Sequence, residues 1–194
     1  TGDWLHHWAA KTPDAVFIAE RSGAGWRELT YRETLQMVRN LGGWLIATLG
    51  PDANPIAILS GNSVDHALLA LAAQYVGLAT APMAEQYSLI RGAHDRLSYL
   101  IEKLQPSLVF TDDAARYGAA LALPALAGIP VLSSHPTGTA TAFATALKGA
   151  ATMAESAHAS LTPDRLAKIL FTSGSTSHPK GVPTTHAMMC VNQT

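Results

Sequence analysis

The sequence contains little of what usually marks a disulfide-rich, thiolate-metal or nucleic-acid-binding protein. Its one cysteine, Cys190, excludes an internal disulfide framework and a zinc cluster made of thiolates. Thirteen basic and fourteen acidic residues leave a net charge of −1, so the chain lacks the basic character that binding to nucleic acid or to an anionic membrane requires. These absences favour a small-molecule partner, no nucleic acid, and a reducing, cytoplasmic compartment.

The chain also lacks a long apolar run. Its most apolar stretch, residues 67–83, is interrupted by Gln74 and Gly77, whereas a membrane-spanning helix needs roughly 20 consecutive apolar residues. The residues after Thr1 do not form the basic segment, apolar core and cleavage site of a secretory signal. We therefore expect neither a membrane span nor export.

The histidines do not have the spacing of a metal centre. His6 and His7 are adjacent, and adjacent side chains point in different directions in a helix and in a strand. No third ligand stands at a helpful distance along the chain, so we expect no protein-bound metal. His186 has two open interpretations: it supports the neighbouring loop from behind, or it contacts the ligand of that loop.

Short apolar runs alternate with helical patterns along most of the chain. Two short strands joined by a glycine turn are expected before Thr30, and Thr30 with Glu33 has the capping-box pattern of a helix start. The pair Gly50 and Pro51 is expected to end that helix.

Further strands are expected where short apolar runs follow turn residues. They are residues 55–60, 79–83, 107–111, 129–132 and 169–171. Between them, Asn62 with Asp65 is expected to cap one helix, and residues 94–104 are expected to form another. Strands that alternate with helices predict an α/β fold with a doubly wound, mostly parallel sheet and flanking helices.

Residues 136–160 differ from the rest of the chain in composition. They are rich in Ala, Thr, Ser and Gly and poor in large apolar side chains. Such a stretch has few anchors for a core, so we expect a loosely packed, partly helical connector within the domain.

The segment from residue 169 to residue 182 carries the chemistry. An apolar strand runs directly into a loop of small hydroxylated residues that contains Gly174 and Lys180. Glycine lets the backbone approach a ligand closely, consecutive amides can form an anion-binding nest, hydroxyls donate hydrogen bonds, and lysine adds a positive charge. Such a loop suits a polyphosphate, and its alternative interpretation is a solvated serine-rich turn.

Two competing motifs do not fit this loop. A Walker A loop needs glycine at the sixth position counted from Gly174, where Pro179 stands, and Ser or Thr after its lysine, where Gly181 stands. The Gly-x-Ser-x-Gly elbow of α/β-hydrolases fails because His178 occupies the place of its second glycine. A P-loop nucleotidase and a serine hydrolase are therefore disfavoured.

The loop resembles the signature loop of the adenylate-forming superfamily, which contains acyl-CoA synthetases, peptide-synthetase adenylation domains and firefly luciferase. The matching residues, 172–182, read Thr-Ser-Gly-Ser-Thr-Ser-His-Pro-Lys-Gly-Val, with Ser177 where the usual form has a second glycine. Thr185 and His186 after the loop are similar to the family's continuation.

The resemblance extends over most of the chain, and its elements come in the family's order. The earlier matches are residues 29–33, residues 56–63, Gly77 and Pro82. Within the superfamily, residues 87–89 and 95–106 are most similar to feruloyl-CoA synthases, which act on hydroxycinnamic acids.

This resemblance implies that residues 1–194 are the incomplete N-terminal part of an AMP-binding domain with the adenylate-forming synthetase fold. It implies a two-step ligase, in which a small-molecule carboxylic acid attacks the α-phosphate of ATP to give an acyl adenylate and pyrophosphate. CoA then displaces AMP, and Mg²⁺ accompanies the ATP.

The resemblance also implies which residues bind the nucleotide. The β- and γ-phosphates would be held by Thr172, Ser173, Gly174, Ser175, Thr176, Ser177 and Lys180. The catalytic residues of the family are expected beyond Thr194, in a missing C-terminal remainder, so the 194 residues alone are expected to be inactive or nearly so. Two alternatives stay open: a peptide-synthetase-type adenylation domain, which passes its adenylate to a carrier protein, and a non-catalytic, truncated α/β module.

Overall fold

Strands alternate with helices along the chain, as the computed structural model shows for residues 2–172 and 179–191. The strands are β1 (Val16–Ser22), β2 (Gly25–Thr30), β3 (Ile56–Ile58), β4 (Thr80–Pro82), β5 (Leu108–Asp113), β6 (Val131–His135), β7 (Thr141–Ala142), β8 (Leu166–Thr172) and β9 (Lys180–Thr185). The helices are α1 (Gly2–Lys11), α2 (Tyr31–Leu49), α3 (Val64–Tyr75), α4 (Glu85–Leu89), α5 (His94–Leu104), α6 (Gly118–Leu121), α7 (Phe143–Ala146), α8 (Ala151–Ala159) and α9 (His186–Val191). In this part of the chain, no helix has both the length and the apolar character that crossing a bilayer requires.

Within these residues, seven strands form one sheet in the order β7-β6-β5-β3-β4-β8-β9. All of its strand pairs are parallel except the last, in which β9 runs antiparallel to β8. The strands β1 and β2 form a separate antiparallel hairpin that turns between Ser22 and Gly25. The predictions of a mostly parallel α/β sheet and of an early hairpin with a glycine turn are both confirmed.

Helices cover both faces of the sheet, and alternate residues of its central strands point into two separate cores. Ile56 and Ile58 of β3 belong to a core with α2, α3, α7 and α8. Ala57 and Leu59 belong to a second core with α5 and α6. All four residues are fully buried, as expected for a strand with a period of two that is covered on both sides. The sheet is therefore doubly wound.

Short-range sequence signals predicted both ends of α2 correctly but not the cap of α3. Thr30 caps α2 with the predicted capping box, in which the Thr30 hydroxyl accepts from the Glu33 amide and the Glu33 carboxylate accepts from the Thr30 amide. Gly50 follows the last turn with φ +84°, a conformation that favours glycine. The predicted cap of α3 was wrong: Ser63, not Asn62, accepts the hydrogen bond from the His66 amide.

Asp65, the other residue proposed for that cap, makes a longer-range contact instead. Its carboxylate accepts a hydrogen bond from Arg27 at 2.7 Å, and the same guanidinium bonds to Glu20 at 2.9 Å. Glu20 also accepts from the backbone amide of Val64 at 2.8 Å. These contacts fasten the β1–β2 hairpin to the start of α3.

Residues 136–160 are more tightly packed than their composition predicts. They contain β7, α7 and α8, and Phe143, Ala146 and Ala154 are buried in the first core. The small residues allow two backbones to approach: a Cβ added to Gly43 of α2 would lie 2.0 Å from the Ala150 carbonyl oxygen. The expected helical part is present as α7 and α8, but the loose packing expected for it is not, because small side chains serve close helix contact here.

This contact yields a stability prediction. Gly43→Ala forces the backbone around Ala150 away from α2, and overpacking of this kind costs about 1–3 kcal/mol, so we expect a lower melting temperature. Gly118→Ala is the matched control, because a Cβ at Gly118 meets no atom within 4 Å. Thermal unfolding followed by circular dichroism measures both, and equal melting temperatures would contradict the close-packing interpretation.

Candidate functional site

The candidate site lies at one end of the β8–β9 hairpin. β8 is parallel to β4 through the pair Thr80 and Lys168, so the chain that follows Thr172 emerges at the edge of the sheet where the parallel strands have their carboxyl ends. Ligands of open α/β sheets bind at this edge, outside the ends of the strands. The fold therefore places Thr172, the first residue of the predicted phosphate site, at the edge where a ligand is expected.

The two strands bring the ends of the loop together. Thr172 and Lys180 are register partners, and the Thr172 hydroxyl donates to the Lys180 carbonyl oxygen at 3.4 Å. Cross-strand partners lie on the same face of a sheet, and both residues are exposed. A hydroxyl and an ammonium group thus share one open face at the neck of the hairpin, which fits an anionic ligand such as a phosphate.

Two of the predicted site residues lie in the part of the chain that the structure describes, and five do not. Thr172 and Lys180 are brought together. Ser173, Gly174, Ser175, Thr176 and Ser177 lie outside the described residues, so their proposed contacts with phosphate stay predictions. No group of three or more His, Cys, Asp or Glu side chains among residues 2–172 and 179–191 has the arrangement of a metal site.

The inner face of the β8–β9 hairpin packs on the second core, and a glycine in β9 leaves room for the side chains of β8. Ile169 and Phe171 of β8 pack against the second core. Opposite Phe171 stands Gly181, where an added Cβ would lie 3.2 Å from Ile169 and 3.3 Å from Phe171. A larger residue at 181 would have to displace these side chains, and this would disturb the strand that carries Lys180.

Arg165 fastens the opposite end of the hairpin and was not predicted from the sequence. Its Nε donates to the Gly77 carbonyl oxygen at 2.8 Å, and its Nη2 donates to the Pro51 carbonyl oxygen. Its own carbonyl oxygen accepts from the His186 amide at 3.1 Å. One residue, through its side chain and its backbone, therefore ties the base of β8 and β9 to the turns that precede β3 and β4.

His186 supports the hairpin from behind. It is 4% exposed at the start of α9, next to the base of the hairpin and at the end of β9 away from Lys180. Burial lowers the pKa of its imidazole to about 4, so the ring is neutral near pH 7. Of the two interpretations left open by the sequence, the structure favours support over ligand contact.

β8 ends at the carboxyl edge of a doubly wound sheet and is followed in the sequence by hydroxyl-rich residues and by Lys180, an arrangement that is typical of nucleotide-binding α/β proteins. Residues 5–194 match the family described as AMP-binding enzyme. The chain belongs to this family, and the predicted membership of the adenylate-forming superfamily is confirmed.

The chain is similar to one protein by sequence and to two others by structure. Enterobactin synthase component F of Escherichia coli O157:H7 is 31% identical over 175 residues, which are 90% of this chain and 12% of that protein. A fatty acyl-adenylate ligase of L. pneumophila, solved with acyl adenylate and pyrophosphate, has a TM-score of 0.73 at 19% identity and aligns with 98% of this chain and 31% of that one. A fatty acyl CoA synthetase of Mycobacterium tuberculosis has a TM-score of 0.69 at 24% identity, over 95% of this chain and 34% of that one.

The likeness to the two solved structures establishes the fold: the chain has the architecture of the N-terminal domains of adenylate-forming ligases. It spans 34% or less of each of the three relatives.

The buried imidazole of His186 predicts a pH dependence of stability. Its pKa is about 4 in the folded protein and about 6.5 when exposed, so the unfolded chain binds a proton that the folded chain does not bind between these values. Stability is therefore present above pH 6.5 and lost as the pH falls towards 4, by roughly 2–3 kcal/mol at most from this group. Denaturant unfolding at several pH values measures the effect.

His186→Gln is the comparison, because glutamine does not titrate in this range. We expect a shallower fall of unfolding free energy between pH 6.5 and pH 4 in the variant than in the wild type. Parallel pH profiles, or an imidazole that titrates above pH 6 by NMR, would show that His186 is not a neutral buried support.

Proposed function

We propose that the complete protein is an AMP-forming acid-thiol ligase and that this chain is the N-terminal part of its AMP-binding domain. Membership of the AMP-binding enzyme family over residues 5–194 supports the use of ATP with Mg²⁺. One structural observation carries the proposal to particular residues: Thr172 and Lys180 are paired on an exposed face at the carboxyl edge of the sheet.

In this proposal the loop between β8 and β9 binds the β- and γ-phosphates of ATP. The contributing residues are Thr172, Ser173, Gly174, Ser175, Thr176, Ser177 and Lys180. A carboxylate oxygen of the acid attacks the α-phosphorus, and pyrophosphate leaves with the electron pair of the broken phosphorus–oxygen bond. The hydroxyls and the ammonium group stabilise the charge that collects on the leaving pyrophosphate, so their contribution is positioning and electrostatics rather than covalent chemistry.

The acid and the acceptor are further parts of the proposal. The similarity of residues 87–89 and 95–106 to feruloyl-CoA synthases supports a hydroxycinnamic acid such as ferulate, with CoA as the acceptor. A second candidate is a peptide-synthetase adenylation domain, which activates an amino or aryl acid for a carrier protein. The 31% identity with an enterobactin synthase component supports this second candidate.

Lys180→Ala tests the phosphate-binding role. Removal of the ammonium group takes away a charge that stabilises pyrophosphate, and we expect kcat/KM for ATP–pyrophosphate exchange by the full-length protein to fall at least about tenfold. Lys103→Ala is the control, because Lys103 is an exposed lysine of α5 on a different element. Unchanged exchange in Lys180→Ala would count against the role of the loop.

A panel of acids tests the substrate. The full-length protein is assayed for ATP–pyrophosphate exchange with ferulate, a long-chain fatty acid and a set of amino acids, and CoA consumption is then measured with the acid that supports exchange. We expect ferulate to be the best acid and CoA to be consumed. Exchange with an amino acid and no CoA consumption would favour the peptide-synthetase candidate, and no exchange with any acid would favour a non-catalytic module.

A further inference from the structure

The carboxylate of Glu85 joins the segment after β4 to the segment after β5 at the carboxyl edge of the sheet, next to the turn after β3. Glu85 follows β4, and its Oε1 accepts from the Tyr117 hydroxyl at 2.8 Å and from Nη2 of Arg116 at 2.7 Å. Both donors follow β5. The Cβ position of Gly61, in the turn that follows β3, lies 3.6 Å from the same oxygen.

The donors to Glu85 are themselves held in place. The carboxylate of Asp113 accepts from the backbone amides of Ala115 and Arg116 at 2.8 and 3.0 Å, and this fixes the turn after β5. Tyr117 is fully buried in the second core. Burial and the hydrogen bond to Glu85 both raise the pKa of its hydroxyl, so the hydroxyl stays protonated and remains a donor at physiological pH.

The two hydrogen bonds to Glu85 are not equivalent. The Arg116 side chain is 51% exposed, and exposed ion pairs contribute little to stability because solvent screens them. The Tyr117 hydroxyl belongs to a buried residue, and a buried donor that loses its acceptor pays the cost of desolvation. The tyrosine bond is therefore expected to be the one that fixes the position of Glu85.

The position of β4 connects this arrangement to the candidate site. β4 lies between β3 and β8 in the sheet and is parallel to β8, so the segment that begins at Met83 leaves the sheet beside Thr172. Met83 is bonded to β3 through its amide, which donates to the Ile58 carbonyl oxygen at 3.0 Å. After Met83, the side chain of Glu85 connects this segment to Arg116 and Tyr117.

We propose that Glu85 is a positioning residue, which holds the segment following β4 as a fixed wall beside Thr172 through its bond to Tyr117. This inference rests on the function proposed above. In the proposed function Thr172 contacts the triphosphate, so loss of this wall is expected to weaken the productive binding of ATP and to change the binding of the acid less.

Steady-state ATP–pyrophosphate exchange by the full-length protein tests the proposal, with KM for ATP and KM for the acid measured separately. Glu85→Ala and Tyr117→Phe are expected to raise KM for ATP about tenfold and to change KM for the acid less than about twofold. Glu85→Gln keeps the volume of the side chain and an acceptor for Tyr117, so it is expected to stay within about threefold of the wild type. Glu102→Ala, on the exposed face of α5, is the control and is expected to match the wild type.

Hydrogen exchange provides a readout that does not depend on activity. In Glu85→Ala and Tyr117→Phe, the amides of residues 83–89 are expected to exchange faster, whereas those of the β1–β2 hairpin are expected to keep wild-type rates. If Glu85→Ala folds poorly, Tyr117→Phe and Glu85→Gln still report, because each keeps most of the original packing.

The outcomes separate the two proposals. An active wild type together with an unchanged KM for ATP in Tyr117→Phe and Glu85→Ala overturns the inference alone. A lower melting temperature with unchanged KM values shows a purely structural role and also overturns it. A wild type that exchanges pyrophosphate with no acid overturns the proposed function, and the positioning role falls with it.

Discussion

The parallel pairing of β8 with β4 is the constraint on which the rest of the site depends. The two strands share the pair Thr80 and Lys168, and parallel strands must release their chains at the same edge of a sheet. The end of β8 at Thr172 therefore lies at the same edge as the ends of β3, β4 and β5. Because β9 returns antiparallel, Lys180 is carried back to stand opposite Thr172. Neither residue could face a phosphate from this edge if β8 ran in the opposite direction.

That pairing needs a sheet covered on both faces, and small residues make one of the covers possible. β3 and β4 are only three residues long, so their position is determined mainly by the helices that pack on them. A Cβ on Gly42 would lie 3.2 Å from the Ala154 methyl group, and one on Gly149 would lie 2.3 Å from the Asn40 carbonyl oxygen. Close approach of α8 to α2 thus completes the helix layer that covers the first core.

Local patterns predicted the elements of this fold well, and contacts between distant residues account for what they missed. The capping box at Thr30 and Glu33 and the alternation of short strands with helices depend on neighbours in the sequence, so they could be read directly. Arg165 and Glu85 gave no such signal, because their partners lie far away in the chain: Gly77 for Arg165 and Tyr117 for Glu85. The cap of α3 failed for a smaller reason, since Asn62, Ser63 and Asp65 are all good capping residues and only the geometry selects Ser63.

The composition of residues 136–160 misled for a related reason. Alanine and glycine offer little apolar area, which predicts weak packing when each side chain is considered alone. Their value appears only when a second backbone comes close, and the identity of that backbone, α2, lies a hundred residues earlier in the chain. The candidate loop shows the reverse case: its residue types indicate phosphate chemistry, but only the sheet places Thr172 and Lys180 together.

On the exposed face of the hairpin, the ammonium group of Lys180 stands next to two apolar side chains. Leu170 and Val182 are register partners on the same face as Thr172 and Lys180, each two residues away along its strand. They are 42% and 46% exposed. An ammonium group beside an apolar pair loses little water while the face is open. In the proposed function a phosphate ligand covers this face; the apolar pair would then exclude water from one side, and the attraction between ammonium and phosphate would strengthen as the local dielectric constant falls. In the proposed site the same two strands therefore supply both the charge and part of the apolar surface that would exclude water from it.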